Sequence, residues 1–164
     1  MKPVVAIIGR PNVGKSTFFN RVTRTRDALV ENFPGVTRDR IYGDAKWDEV
    51  AFTLVDTGGF TEAEDAFNPQ IKFQVEQAMQ DADVIVVMLD GKAGISPFDS
   101  DIIQLLRSLP KPALFAVNKI DGAEQEGRLY DFYSTGVEEL HPLSAEHGYG
   151  INDFLDCLVA ALSE

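Results

Sequence analysis

Gly9-Arg10-Pro11-Asn12-Val13-Gly14-Lys15-Ser16 follows a short apolar run, Val4 to Ile8, and leads into a segment of helical spacing, Ser16 to Val22. Two glycines separated by four residues, then Lys-Ser, set between a strand and a helix, let successive backbone N–H groups converge on phosphate oxygens at a helix N-terminus. In such a loop Lys15 neutralises charge on the β- and γ-phosphates and Ser16 ligates Mg²⁺. The expected cradle comprises Gly9, Asn12, Val13, Gly14, Lys15, Ser16 and Thr17. A second constellation, Asn118-Lys119-Ile120-Asp121, follows the apolar run Ala113 to Val117. A carboxylate at Asp121 accepts from the N1–H and N2 amine of guanine together, whereas adenine offers neither donor there. Asn118 would tie this turn to the phosphate loop, and the stem of Lys119 would cover the face of the base. Asp56-Thr57-Gly58-Gly59 places a carboxylate where it reaches Mg²⁺ through water, and the Gly59 N–H where it meets a γ-phosphate. Thr37, the only threonine between Asp27 and Trp47, supplies a candidate hydroxyl for the same ion. Ser144-Ala145-Glu146 would offer backbone N–H groups to guanine O6.

These loops need a frame that brings them to one edge. Short β-rich runs alternate with helical spacing along the chain: strands are expected at Val4 to Ile8, Ile41 to Trp47, Val50 to Val55, Val84 to Leu89, Ala113 to Val117 and Glu139 to Leu143. Helices are expected at Ser16 to Val22, Ile71 to Met79, Phe98 to Leu109, Leu129 to Tyr133 and Ile151 to Leu162, the last with Asn152 as N-cap. The pattern predicts a doubly wound α/β fold, a mostly parallel six-stranded sheet with helices on both faces and ligands at the carboxyl ends of its strands. Two long aperiodic connections, from Thr23 to Gly43 and from Asp56 to Pro69, exceed what a compact domain needs for connectivity and are expected to be functional.

The 164 residues suit one domain. With 15 basic and 26 acidic side chains the formal charge is −11, which disfavours a purely electrostatic polyanion binder. The total hides an asymmetry: residues 1–46 carry nine basic and four acidic side chains, so the rest is strongly acidic and an anion is expected near the N-terminal quarter. The single cysteine, Cys157, forms no intrachain disulfide and reads as a core thiol, and no apolar run approaches the roughly 20 residues of a membrane span. A cytoplasmic protein is expected. His141 and His147 have no cysteine or histidine at ligand spacing and are read as non-ligating.

The five constellations, in this order, resemble the TRAFAC-type translation-factor and Ras-like GTPases, which implies a Ras-like P-loop NTPase fold for the chain. The run from Gly9 through Thr17, Thr23-Arg24-Thr25-Arg26-Asp27-Ala28-Leu29-Val30, Pro34-Gly35-Val36-Thr37-Arg38-Asp39-Arg40 and Asp56-Thr57-Gly58-Gly59-Phe60 are similar to the first GTPase domain of the Der (EngA) family. That family comprises bacterial ribosome-assembly GTPases with two consecutive G domains and a C-terminal KH-like domain. The resemblance implies that residues 1–164 are a single G domain, a fragment of a longer two-G-domain protein, that binds GTP and GDP and hydrolyses GTP with Mg²⁺ held by Ser16, Thr37 and Asp56. It implies a role in maturing the large ribosomal subunit. Catalysis is expected to involve Lys15, Thr37, Gly59 and Asn12. Phe60 stands where Ras-like enzymes place the glutamine that orients water, so slow basal turnover is expected, and Asn12 matches the asparagine that helps hold K⁺ in potassium-activated relatives. Two alternatives stay open: a nucleotide-gated binding module with negligible hydrolysis, and an ATP-using P-loop kinase if Asp121 is incidental.

Overall fold

A computed structural model describes residues 2–23, 29–30, 41–57 and 69–163 of the chain. The expected strands form as β1 (Val4–Ile8), β3 (Ile41–Trp47), β4 (Val50–Asp56), β5 (Val84–Asp90), β6 (Ala113–Asn118) and β7 (Leu140–Pro142), and a two-residue strand, β2 (Leu29–Val30), joins them at one edge. The sheet order is β2-β3-β4-β1-β5-β6-β7. β2, β3 and β4 pair antiparallel and every pairing from β4 to β7 is parallel. The helices are α1 (Lys15–Thr23), α2 (Pro69–Asp81), α3 (Pro97–Arg107), α4 (Tyr130–Tyr133) and α5 (Ile151–Leu162), and a 3-10 segment, Ala123–Leu129, leads into α4.

Two apolar layers enclose the sheet, and the strand period of two assigns residues to them. Val5, Ile7, Val84, Val86 and Met88 face α1 and α5, meeting Phe18, Phe19, Phe154 and Leu158. Ala6, Ile8, Ile85, Val87 and Leu89 face α2 and α3, meeting Ile71, Val75, Met79 and Ile102. All seven residues of β5 are buried, which is why it reads as a continuous apolar run rather than an alternating one. Each such aliphatic side chain contributes about 1.5–3 kcal/mol on burial. Phe18 and Phe154 lock α1 to α5 with ring centroids 5.7 Å apart at 74°, an edge-to-face geometry.

Helix ends follow local chemistry at α3 and tertiary constraint at α5. Ser96 caps α3 by accepting from the Asp99 N–H, the Asp99 carboxylate accepts from the Ser96 N–H, and Pro97 occupies the first turn. At α5 the expected Asn152 cap does not form: Gly150 is the N-cap, at φ 69°, without a side-chain hydrogen bond. A Cβ at Gly150 would fall on the Pro142 carbonyl, so the close approach of β7 selects glycine and starts the helix before Asn152. The C-terminal strand is also shorter than the apolar run suggested, ending at Pro142, which cannot donate to a ladder.

The β3–β4 hairpin turns on Asp48 and Glu49, both left-handed, at φ 49° and 66°. Two positive φ values are what a two-residue turn between twisted strands requires, yet glutamate has no special tolerance for them. Its ion pair with Lys46, 3.6 Å long and largely exposed, adds little. Glu49→Gly is therefore expected to stabilise the fold by about 0.5–1 kcal/mol and Glu49→Val to destabilise it by more than about 1 kcal/mol, read as opposite shifts in thermal midpoint.

Candidate nucleotide-binding site

Residues 9–14 cross from the end of β1, the central strand, to the start of α1, and the carboxyl ends of β4, β5, β6 and β7 surround them. Lys15 is buried, and its ammonium folds back over the loop, donating to Gly9 O at 2.7 Å and Arg10 O at 3.4 Å. Burial lowers its pKa, and the charge of Asp56 opposes that shift. Ser16 Oγ stands 3.5 Å from Asp56 Oδ2, and the neighbouring Thr57 hydroxyl donates to Ile7 O at 2.8 Å, tying the end of β4 to β1. Arg10 anchors the loop on the other side: it donates to Gly94 O at 3.1 Å, and its guanidinium lies 3.9 Å from the buried Asp99 carboxylate, whose pKa is raised by burial.

Asn118 joins three loops. Its Nδ2 donates to Val13 O at 2.8 Å, and its Oδ1 accepts from the Ala145 N–H at 2.9 Å. The contact is close enough that Gly14, at φ 103°, has no room for a Cβ, which would fall on Asn118 Nδ2. Lys119, itself left-handed at φ 69°, adds a second bridge by donating to Asp90 Oδ2 at 2.7 Å and Asn12 O at 3.1 Å. Burial pushes the Asp90 carboxyl upward, but hydrogen bonds from Lys119 and from the Ala93 and Lys92 N–H groups outweigh it and hold the pKa below the ordinary value. Ionised Asp90 thus favours the fold above the ordinary carboxylate pKa, and this contribution fades as pH falls through the lowered one.

A cleft of about 380 Å³ opens between these loops, lined by Gly14, Thr17, Asn118, Lys119, Asp121 and Ser144 together with Gln125, Arg128, Lys92 and Glu146. Of the residues expected to build the site, Gly9, Asn12, Val13, Gly14, Lys15, Ser16, Thr17, Asp56, Asn118, Lys119, Asp121, Ser144 and Ala145 all lie at this edge of the sheet. Asn12 is exposed and left-handed at φ 69°, a conformation asparagine tolerates better than most residues. Thr37 and Gly59, with Phe60 and the arginines at 24, 26, 38 and 40, fall outside the described residues.

The loop after β7 departs from the expectation. The Ser144 N–H donates to Tyr149 O at 2.8 Å, and the Ala145 N–H is taken by Asn118, so two of the three amides expected to face guanine O6 are engaged inside the protein. Ser144 instead builds the turn, its Oγ accepting from the His147 N–H at 3.0 Å. Four residues not assigned from sequence shape the site. Asp90 receives Lys119; Arg21 reaches from α1 to Ala145 O at 2.6 Å and Glu146 O at 2.7 Å; Gln125 Oε1 accepts the Asp121 N–H at 2.8 Å; and Arg128 donates to Lys119 O at 3.1 Å. Only Asp90 carried a signal, an acid at the end of a buried strand.

A parallel sheet of this order, with a Gly-x4-Gly-Lys-Ser loop after its central strand and an Asn-Lys-x-Asp turn after β6, defines a P-loop GTPase domain of the Ras-like fold. The chain belongs to the family described as 50S ribosome-binding GTPase, whose model matches residues 4–119. It is 58% identical over 161 residues to the GTPase Der of Desulforapulum autotrophicum, an alignment covering 98% of this chain and 33% of that protein. The chain thus spans about a third of the length of the curated relatives it matches. Among solved structures, Aquifex aeolicus Era Y63A bound to GDP·AlF4⁻ superimposes with a TM-score of 0.77 at 28% identity, covering 98% of this chain and 57% of that one. The G domain of the T. maritima iron transporter FeoB shares the fold, with a TM-score of 0.75 at 23% identity and 99% of both chains covered. Among the described residues, no helix is long and apolar enough to cross a membrane.

Proposed function

We propose that this chain is the first G domain of a Der-type protein, a nucleotide switch that binds GTP and GDP with Mg²⁺ and hydrolyses the γ-phosphate during large ribosomal subunit biogenesis. The observation that carries the reading is Asn118, which hydrogen-bonds the base-reading turn to Val13 in the phosphate loop and to Ala145. A site that senses guanine and triphosphate together needs that coupling. In this reading Gly9, Asn12, Val13, Gly14, Lys15, Ser16 and Thr17 cradle the phosphates, and Lys15 exchanges its contacts with Gly9 and Arg10 for phosphate oxygens. Asp121 reads N1–H and N2, and Lys119 covers the base.

Ser16 and Asp56 fit a Mg²⁺ ion, since their oxygens stand 3.5 Å apart beside the loop and hard oxygen donors suit that cation. When bound, Mg²⁺ neutralises charge on the β- and γ-oxygens. Thr37 and Gly59 would contact only the γ-phosphate and so distinguish GTP from GDP. Lys15 and the loop N–H groups stabilise the charge that develops as water attacks phosphorus and the bond to the β-phosphate oxygen breaks. With Phe60 in place of a water-orienting glutamine, turnover is slow, and Asn12 is the candidate side chain for K⁺ stimulation. Single-turnover hydrolysis of GTP in KCl and in NaCl tests this: slow turnover, faster in KCl, is expected, and no turnover in either salt would reduce the chain to a nucleotide-gated binding module.

Gln125 and Arg128 act in this reading by holding the turn from Lys119 to Asp121. Losing these hydrogen bonds is expected to cost about 1–2 kcal/mol, so Arg128→Ala and Gln125→Ala should weaken GDP binding by roughly five- to thirtyfold. The preference for GDP over inosine diphosphate, which lacks the N2 amine, should narrow in both. A second G domain and a KH-like domain belong to the whole protein in this proposal, which operates in the cytoplasm with the large ribosomal subunit as partner. The basic side chains at 24, 26, 38 and 40 are the candidate ribosomal RNA contacts of this domain.

A further inference from the structure

One cluster of ligating atoms lies away from the nucleotide cleft and lines no part of it. Glu139, His141 and Cys157 each bring a ligand atom within 4.8 Å of the other two, the one such group among the described residues. Glu139, directly before β7, and His141, within it, lie two residues apart and so project to the same side of the strand. Cys157 comes from α5, which packs over that side. Sequence spacing hides the cluster because the cysteine lies sixteen residues beyond the histidine and the fold alone brings α5 back across β7.

The histidine is held in a ligand's posture. Its ring abuts Phe154 edge-on, with centroids 5.4 Å apart at 70°. Its Nε2 is buried without a hydrogen-bond partner, and the Glu139 carboxylate stands 3.6 Å away. An unsatisfied buried nitrogen is costly, and a metal ion would satisfy it.

We propose that Glu139, His141 and Cys157 form a three-ligand site for a zinc-class divalent cation, with water as the fourth ligand. One thiolate, one imidazole and one carboxylate make a donor set suited to Zn²⁺ rather than Mg²⁺ or Ca²⁺, and the two anionic ligands cancel the charge of the ion. Metal–ligand bonds of about 2.0–2.3 Å place tetrahedral ligands roughly 3.3–3.7 Å apart, so atoms within 4.8 Å of one another close by up to about 1.5 Å on binding. Glu139, 76% exposed, has the freedom to do so. The ion would pin α5 to β7.

The test is titration of the reduced chain with Co²⁺, read as a thiolate-to-cobalt charge-transfer band in the near ultraviolet. Because the chain has one cysteine, that band reports Cys157 alone. The expected result is one Co²⁺ per chain, displaced by Zn²⁺, with the band absent in Cys157→Ser and Zn²⁺ affinity falling at least about tenfold in Glu139→Gln and His141→Gln, measured against a chromophoric chelator. Zn²⁺ should raise the thermal midpoint of the unaltered chain and leave Cys157→Ser unchanged. Absence of the band, one metal per two chains, or unchanged affinity in Glu139→Gln, an exposed position whose variant should fold, would overturn the site.

Discussion

Asp121→Asn is expected to weaken GDP binding by about 10²–10⁴-fold and to let xanthosine diphosphate bind in its place. The carboxylate would accept two hydrogen bonds from guanine, each charge-assisted and worth about 1.5–3 kcal/mol, so losing their match costs roughly 3–6 kcal/mol. Xanthine carries an oxygen where guanine carries the N2 amine, and the amide of the new asparagine donates to it. The fold should barely notice. The Asp121 side chain is 46% exposed, the His147 Nε2 stands 4.0 Å from its Oδ1, and the backbone N–H that Gln125 holds is unaltered. Thermal stability within about 0.5 kcal/mol of the parent, beside the inverted preference, would assign Asp121 to recognition. Equal loss of all nucleotides, or none, would contradict that assignment.

Asn118→Ala is expected to behave in the opposite way, lowering stability and nucleotide affinity together. Asn118 is buried, and its removal strands the Val13 carbonyl and the Ala145 N–H, each costing about 1–3 kcal/mol when left unsatisfied. A total of roughly 2–6 kcal/mol is a large share of the 5–15 kcal/mol that holds a typical domain. In a chain of this size it lowers the thermal midpoint by roughly 5–20 °C. Asn118→Asp keeps the acceptor for Ala145 but sets a carboxylate oxygen against the Val13 carbonyl, so it should not rescue the loop. A midpoint within 2 °C of the parent in Asn118→Ala would mean that the three loops hold their places without this side chain, a threshold of about 1 kcal/mol for a domain of this length.

The parts of the fold that sequence expresses locally are those that local reading recovers. β1 and β5 are legible because strands covered on both faces are written as unbroken apolar runs. The α3 start is local chemistry of the same kind: around Pro97, Ser96 and Asp99 each accept from the other's backbone N–H. The phosphate loop and the turn at Asn118 are legible for the same reason, since the spacing itself is the chemistry. What escapes depends on distant partners. Arg21 lies 124 residues from the Ala145 carbonyl it holds, and Asp90 acquires its role only when β5 and β6 set it beside Lys119. Gly150 displaces Asn152 as the cap because of Pro142, a neighbour in space. His141, read as non-ligating, and Cys157, read as a core thiol, come together only because the fold sets β7 beside α5. Of the basic excess in residues 1–46, Arg10 and Lys15 lie in the loop after β1, and the arginines at 24, 26, 38 and 40 fall outside the described residues.

In the proposal one cleft reads guanine and phosphate as a unit. Titration calorimetry of the chain with GDP, GTP and ATP in the presence of Mg²⁺ tests it most directly. GDP and GTP are expected to bind, and ATP at least about 10³-fold more weakly, because adenine leaves the Asp121 carboxylate without its donors. ATP binding as tightly as GDP would contradict it.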